Sequence, residues 1–291
     1  MRDDPRPGRP DLVRDVAPAR SIQPEAARGP WQAIVSSSAF RKALILLALA
    51  GAWQAYASAL GNSLLFPSFT DTAGALYAGV FTEDHVLLLR AASSLRVLLQ
   101  GYVIGVLLAV ALTALAAVSR VGNDLLETLT AMLNPLPAIA LLPLALIWFG
   151  LGSASIVFVL VHSVLWPVAL NTHAGFLSVS QTLRMVGRNY GLHGAGYVVR
   201  ILIPAALPSI LAGLKIGWAF AWRTLIASEL VFGVASRSGG LGWYIYENKN
   251  ELEIANVFAG LLSVILIGLA VENLIFRVVE SHTVRRWGML R

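Results

Sequence analysis

Apolar residues run along this chain in long, nearly unbroken stretches. The strict alternation of a half-buried strand is absent, and so is the one-sided stripe of a surface helix. Six stretches reach spanning length, at 43–60, 97–118, 128–149, 154–171, 206–234 and 254–276. A helix rises about 1.5 Å per residue and the hydrocarbon of a bilayer is about 30 Å thick, so roughly 20 mostly apolar residues make one crossing. Six such stretches in one short chain argue against buried core helices of a water-soluble protein. The pattern predicts an all-α membrane protein with six transmembrane helices, each satisfying its own backbone hydrogen bonds.

The polar segments divide the chain. Residues 1–42 carry Pro5, Pro7, Pro10, Pro18, Pro24 and Pro30 among mixed charges and are expected to be a disordered tail. The span 43–60 follows, then a core over 85–277, then a second tail over 278–291. Ala57 and Ala59 form an A-x-A pattern, the mark of a cleaved leader, but more than forty residues precede the apolar run, too many for an ordinary n-region. No internal repeat is found of the kind that marks many secondary transporters.

Composition agrees with the pattern. The chain is 57% hydrophobic and 13% charged, against about half and about a quarter in a soluble domain. That leaves too little polar surface to cover a globule in water. The net charge of +6 is explained by topology, not by nucleic acid. Arg2, Arg6, Arg9, Arg14, Arg20, Arg28, Arg41 and Lys42 precede the first span, Arg277, Arg285, Arg286 and Arg291 end the last, and Arg184, Arg188 and Arg200 sit between the fourth and fifth. The positive-inside rule then places both termini and the 172–205 loop in the cytoplasm. Without cysteine there are no disulfides or thiolate metal sites. The histidines His85, His162, His173, His193 and His282 show no ligand spacing. No cofactor is expected.

The 172–205 loop is too long for a turn. It has apolar positions at helical spacing (Leu183, Val186 and Tyr190, then Tyr197, Val198 and Ile201), interrupted by Gly191, Gly194 and Gly196, with Pro204 near the start of the next span. Short helices broken by a glycine turn are predicted. Anchored on Gly191, the stretch resembles the EAA loop of binding-protein-dependent ABC importer permeases, with Ile201, Ile203 and Pro204 in the places of its I-x-L-P ending; Met185-Val186-Gly187 stands where the E-A-A triplet with its one acid would be. Ser94–Gly101, Pro137–Gly152, Pro204–Lys215, Glu229 with Gly240-Leu241-Gly242, and Arg286-Trp287 are similar to the nitrate/sulfonate/taurine subfamily of these permeases.

The resemblance implies a type I (MetI-like) permease fold in a bacterial inner membrane. It also implies a homodimer, two ATPase subunits on the cytoplasmic side and a periplasmic solute-binding protein outside. Met185, Val186, Gly187, Gly191, Ile201 and Pro204 then become the candidates for docking the ATPase. The chain itself has no G-x-x-x-x-G-K-[ST] loop, so it has no means of cradling nucleotide phosphates by that route.

Polar residues inside the spans mark a candidate pathway. Asn134, Pro135, Pro137 and Pro143 interrupt the third span and are expected to kink it, because each proline removes a backbone hydrogen bond. The fifth span holds Lys215, Arg223 and Glu229. A charge at membrane depth costs about 2.5–3.5 kcal/mol or more, so it should face a cavity or a partner. Arg223 either meets the solute or pairs with Glu229 of a second copy or with Glu272. Asn134, Pro137, Arg223 and Glu229 form the candidate pathway set. Gly101-x-x-x-Gly105 and Gly213-x-x-x-Gly217 allow close helix approach without naming the partner helix. An ion-coupled secondary transporter is the alternative class. An intramembrane enzyme finds neither H-E-x-x-H nor G-x-S-x-G here.

Overall fold

The structure is a computed structural model that describes residues 37–82, 84–232 and 239–285. The described residues are almost entirely helical. The chain forms two compact units, 1–51 and 52–291. The described part of the first is Ser37 and the start of helix α1 (Ser38–Leu60). Most of the expected tail therefore lies outside the described residues. Leu44, Ile45, Leu46, Leu47 and Leu49 of α1 are exposed, as lipid-facing side chains of a span are.

In the second unit, the end of α1 leads through a turn to α2 (Phe69–Phe81), which sequence reasoning did not anticipate. Its start is a capping box: the Ser68 hydroxyl accepts from the Asp71 N–H at 3.1 Å while the Asp71 carboxylate accepts from the Ser68 N–H. Trp53 anchors the turn. Its indole donates to the Pro67 carbonyl at 2.9 Å, and its ring packs on Phe66, Phe69 and Phe258.

There follow α3 (Val86–Val118), α4 (Arg120–Leu133), a 3₁₀ turn (Ala138–Leu141), α5 (Leu142–Phe149) and α6 (Ser153–Leu177). Next come α7 (Gln181–Asn189), α8 (Gly194–Tyr197), a π-helical turn (Val198–Leu202) and α9 (Ile203–Phe232). Helices α10 (Leu241–Asn250) and α11 (Ile254–Ala270) complete the bundle, and the last span runs on helically through Val271–Phe276, α12 (Arg277–Glu280) and Ser281–Arg285. Part of the expected C-terminal tail is thus helix. Among the described residues, five helices are long and apolar enough to cross a membrane, and six if the bent pair 120–133 and 138–149 is one span.

Helix α6 is the axis of the core, packed chiefly between α3 and α9. Val159, Leu160, Val164, Val168 and Ala169 are essentially inaccessible. Both small-residue motifs find the same partner. On α3, a Cβ at Gly101 would fall on Leu160 and one at Gly105 would lie 2.8 Å from Val164 Cβ. On α9, a Cβ at Gly213 would lie 2.8 Å from Asn171 Cβ, and Gly217 faces Val168 and Val164. Glycine on both flanks lets three backbones approach where lipid supplies no hydrophobic drive. Around this core, Leu99, Val103, Leu107, Leu108, Ile265 and Leu269 are exposed, more apolar surface than a soluble monomer presents.

The third expected span departs from a simple kinked helix. Helix α4 starts at Arg120, and the chain bends by 87° between α4 and the 138–149 segment. Pro135 and Pro137 lack N–H groups, and each biases the residue before it away from helix. Pro137 itself is extended (φ −60°, ψ 123°). Pro143 is not a kink at all, because it lies in the first turn of α5, where no hydrogen bond is lost.

Candidate functional site

Three local constructions carry the candidate residues. The first is the elbow between α6 and α9. The Ser180 hydroxyl caps α7 by accepting from the Leu183 N–H. Arg184 then turns back, donating through Nε to the Val179 carbonyl at 3.1 Å and through a terminal nitrogen to the Phe176 carbonyl. A cation on the last carbonyls of α6 satisfies groups that the helix end leaves open and complements its dipole. Gly187 is buried where α7 meets the following segment, and a Cβ there would lie 3.0 Å from Ile201 Cγ1 and 3.1 Å from the Tyr197 ring.

Gly191 ends α7 in a Schellman motif. The Leu192 N–H donates to the Gly187 carbonyl at 3.1 Å and the Gly191 N–H to the Arg188 carbonyl at 2.9 Å, with Gly191 left-handed at φ +70°. The helix is therefore locked on its inner side by Gly187 and Arg184 and at its end by Gly191. Its other face shows Met185, Val186 and Tyr190 to the surroundings, with Met185 55% and Tyr190 81% exposed. Ile201 is half-buried against Gly187, and Pro204 is the exposed second residue of α9.

The second construction is an open cavity of about 260 Å³ at the break between α4 and α5, flanked by α6 and α9. It brings together Asn134, Pro137 and Arg223 with His162, Ser163, Trp166 and Thr224. Arg223 is exposed. Its Nε donates to the Ala219 carbonyl one turn back at 3.0 Å, and its guanidinium lies 5.1 Å from the Phe220 ring centre. The Ser163 and Thr224 hydroxyls are 3.2 Å apart. Trp166 is 6% exposed and its Nε1–H has no acceptor.

The third construction takes Glu229 away from that cavity. Glu229 is 5% exposed. The Ser94 hydroxyl lies 2.9 Å from both carboxylate oxygens and the Gly242 N–H donates to one of them at 2.9 Å, while the Leu241 N–H donates to Ser94 Oγ at 2.9 Å. A buried carboxylate and the hydroxyl that donates to it thus collect the first N–H groups of α10, which have no partner inside their own helix. Gly240 and Gly242 are required by proximity: a Cβ on Gly240 would overlap Glu229 and Ser94, and one on Gly242 would lie 2.7 Å from the Ile226 carbonyl. Arg90 ties the same corner, donating to the Gly239 carbonyl at 3.1 Å and pairing with Glu247 at 3.0 Å. Within the chain, Glu272 pairs with Lys215 at 2.8 Å and not with Arg223, while Glu229 is held by Ser94 and Gly242.

Sequence reasoning did not single out Ser94, His162 or Trp166 as site residues. Nothing local marks them, because their partners lie on other helices. Conversely, the Glu229 and Gly240-Leu241-Gly242 letters were noticed without the knot that joins them.

A bundle of apolar spans, with a short amphipathic helix clamped at one end and a polar cavity at a helix break, defines a membrane-embedded transport subunit. The chain belongs to the family of binding-protein-dependent transport system inner membrane components, whose model matches residues 101–286. It is 28% identical over 259 residues to the nitrate import permease protein NrtB of Synechocystis sp., covering 87% of this chain and 93% of that one. It is 26% identical over 245 residues to the bicarbonate transport system permease protein CmpB of Synechococcus elongatus (84% and 82%). It is 32% identical over 150 residues to the putative aliphatic sulfonates transport permease protein SsuC of Escherichia coli (52% and 56%).

Proposed function

We propose that this chain forms the transmembrane pathway of an ATP-driven importer for a small anion, delivered from outside by a solute-binding protein. Two copies pair, and a separate ATPase, also in two copies, hydrolyses the nucleotide. Both termini and the elbow face the cytoplasm. The observation that carries the reading is the elbow: a helix fixed to the spans behind it by Arg184, Gly187 and Gly191 yet showing an apolar face at Met185, Val186 and Tyr190. A clamped amphipathic helix of this kind fits a groove on a partner. Movement of that partner reaches the spans through Ile201 and Pro204 as rigid-body rotation. Solute passes the helix break at Asn134 and Pro137 and the guanidinium of Arg223, while Glu229 sets the wall at the far end of α9 by holding α10.

Substrates named for the relatives (nitrate, bicarbonate, aliphatic sulfonates) share a small size, one negative charge at neutral pH and several acceptor oxygens. The test is uptake in cells carrying Gly191→Val. The variant is expected to insert and to lose uptake at least tenfold. Normal uptake, or a reporter fused at His193 that reads periplasmic, overturns the reading. ATP-independent uptake in vesicles would point to the ion-coupled class instead.

A further inference from the structure

The cavity at the break between α4 and α5 combines a charged side chain with buried polar atoms that have no partner among the described residues. Among the residues that line it, Arg223 is the one charged side chain and no carboxylate is present. Arg223 finds no ion-pair partner among the described residues. Of its five N–H groups, one is accounted for, by the Ala219 carbonyl. Trp166 is buried to the same degree as the core, yet its indole N–H, which is a donor only, has no acceptor. The His162 ring, 6.0 Å from that of Trp166, has only a backbone contact with Leu133 among the described residues. Asn134 and the Ser163–Thr224 hydroxyl pair are the remaining polar side chains of the lining, the rest of which is apolar.

Unpaired buried donors are costly, about 1–3 kcal/mol each, and are few in folded proteins. Trp218 and Tyr197 also carry such atoms elsewhere in the bundle, but at this cavity Trp166 and His162 lie in the same lining as a cation that has no ion pair among the described residues. We infer that this cavity is a selectivity site for the transported ion inside the permease: a small oxyanion, accepted by the guanidinium of Arg223 and the indole N–H of Trp166, pauses there in transit. The inference rests on the importer reading and extends it, because it gives this chain a choice of solute separate from that of the binding protein.

The chemistry is specific in two respects. An oxyanion is acceptor-only and complements a lining rich in donors, whereas a cation meets Arg223 as a like charge and a neutral solute leaves the guanidinium unpaired. The volume of about 260 Å³ leaves room for a small ion beside the guanidinium. The contact of Arg223 with the Phe220 ring holds the guanidinium plane without consuming its donors, leaving the planar fork for a bidentate oxyanion.

The test uses the full chain in lipid nanodiscs with nitrate as the probe, since nitrate quenches indole fluorescence on contact. Sodium nitrate is titrated against sodium gluconate at constant ionic strength. The wild type is expected to show a saturable component of quenching above the linear collisional background. Trp166→Phe removes that component, Arg223→Gln moves its midpoint at least tenfold higher, and Arg223→Lys moves it less. Strictly linear quenching of the wild type overturns the inference, and so does an unchanged midpoint in Arg223→Gln. Trp166→Phe, a change of similar shape, decides the matter if the arginine variant does not fold. Co-purification of an ATPase with the wild-type chain is scored separately. Its absence sinks the importer reading and leaves the quenching result standing.

Discussion

The two ends of α9 are built on opposite principles. At the far end, Glu229, Ser94, Gly240 and Gly242 turn their polar groups toward one another until nothing is left over. At the near end, the elbow satisfies its backbone through Gly191 and Arg184 but leaves Met185, Val186 and Tyr190 facing outward. A self-satisfied corner is a structural joint, and its loss should be felt as instability. A satisfied backbone under an unsatisfied surface is an interface, and its loss should be felt as a missing partner. Arg223, six residues before Glu229 on the same helix, shows that formal charge alone does not separate these cases; what separates them is whether the neighbours have already answered it.

Substitutions test that contrast, beginning with the largest effect on folding. Gly240→Val drives a side chain into Glu229 and Ser94, so the monodisperse fraction after mild solubilisation is expected to vanish; recovery at wild-type yield would mean the joint is loose. Glu229→Ala leaves the Ser94 hydroxyl and the Gly242 N–H buried without an acceptor and should cost about 1–3 kcal/mol for each, read as a lower thermal midpoint, whereas Glu229→Gln keeps an acceptor and loses less. Gly191→Val forces a left-handed position onto a branched side chain, a local cost of about 1–2 kcal/mol. The protein should remain folded by the same thermal assay while uptake fails. Met185→Asp, on the exposed face, should stay within about 0.5 kcal/mol of wild type yet release the co-purifying ATPase. Retention of the ATPase by that variant would remove Met185 from the interface.

How much of this was readable beforehand follows from how far each cause reaches along the chain. The spans are local sums of apolar residues, so α3, α6, α9 and α11 stand where composition puts them, though α3 begins at Val86 because the polar residues of its first turns face the Arg90 and Ser94 partners instead of lipid. The glycine turn of the elbow was readable for the same reason, since the left-handed position at Gly191 is a property of one residue and its hydrogen bonds close within five. The break after Leu133 was readable as an interruption by proline, but not its 87° angle, which depends on what α5 packs against. Helices α2 and α10 are short and mix polar with apolar residues, so no spanning pattern announces them. The Glu229 knot was beyond reach: Ser94 lies 135 positions away, and no spacing rule joins a hydroxyl on one span to a carboxylate on another.

The glycines that seat α3 and α9 against α6 have one further consequence. Long side chains between helices act as cushions, because rotamers give before backbones do. At Gly101, Gly105, Gly213 and Gly217 there is no cushion, and Leu160, Val164 and Val168 rest directly on neighbouring main chain. Under the proposed coupling, a push delivered through Ile201, just before α9, would find no slack to take up. The three helices would then move as one lever, with the yielding parts of the machine outside them.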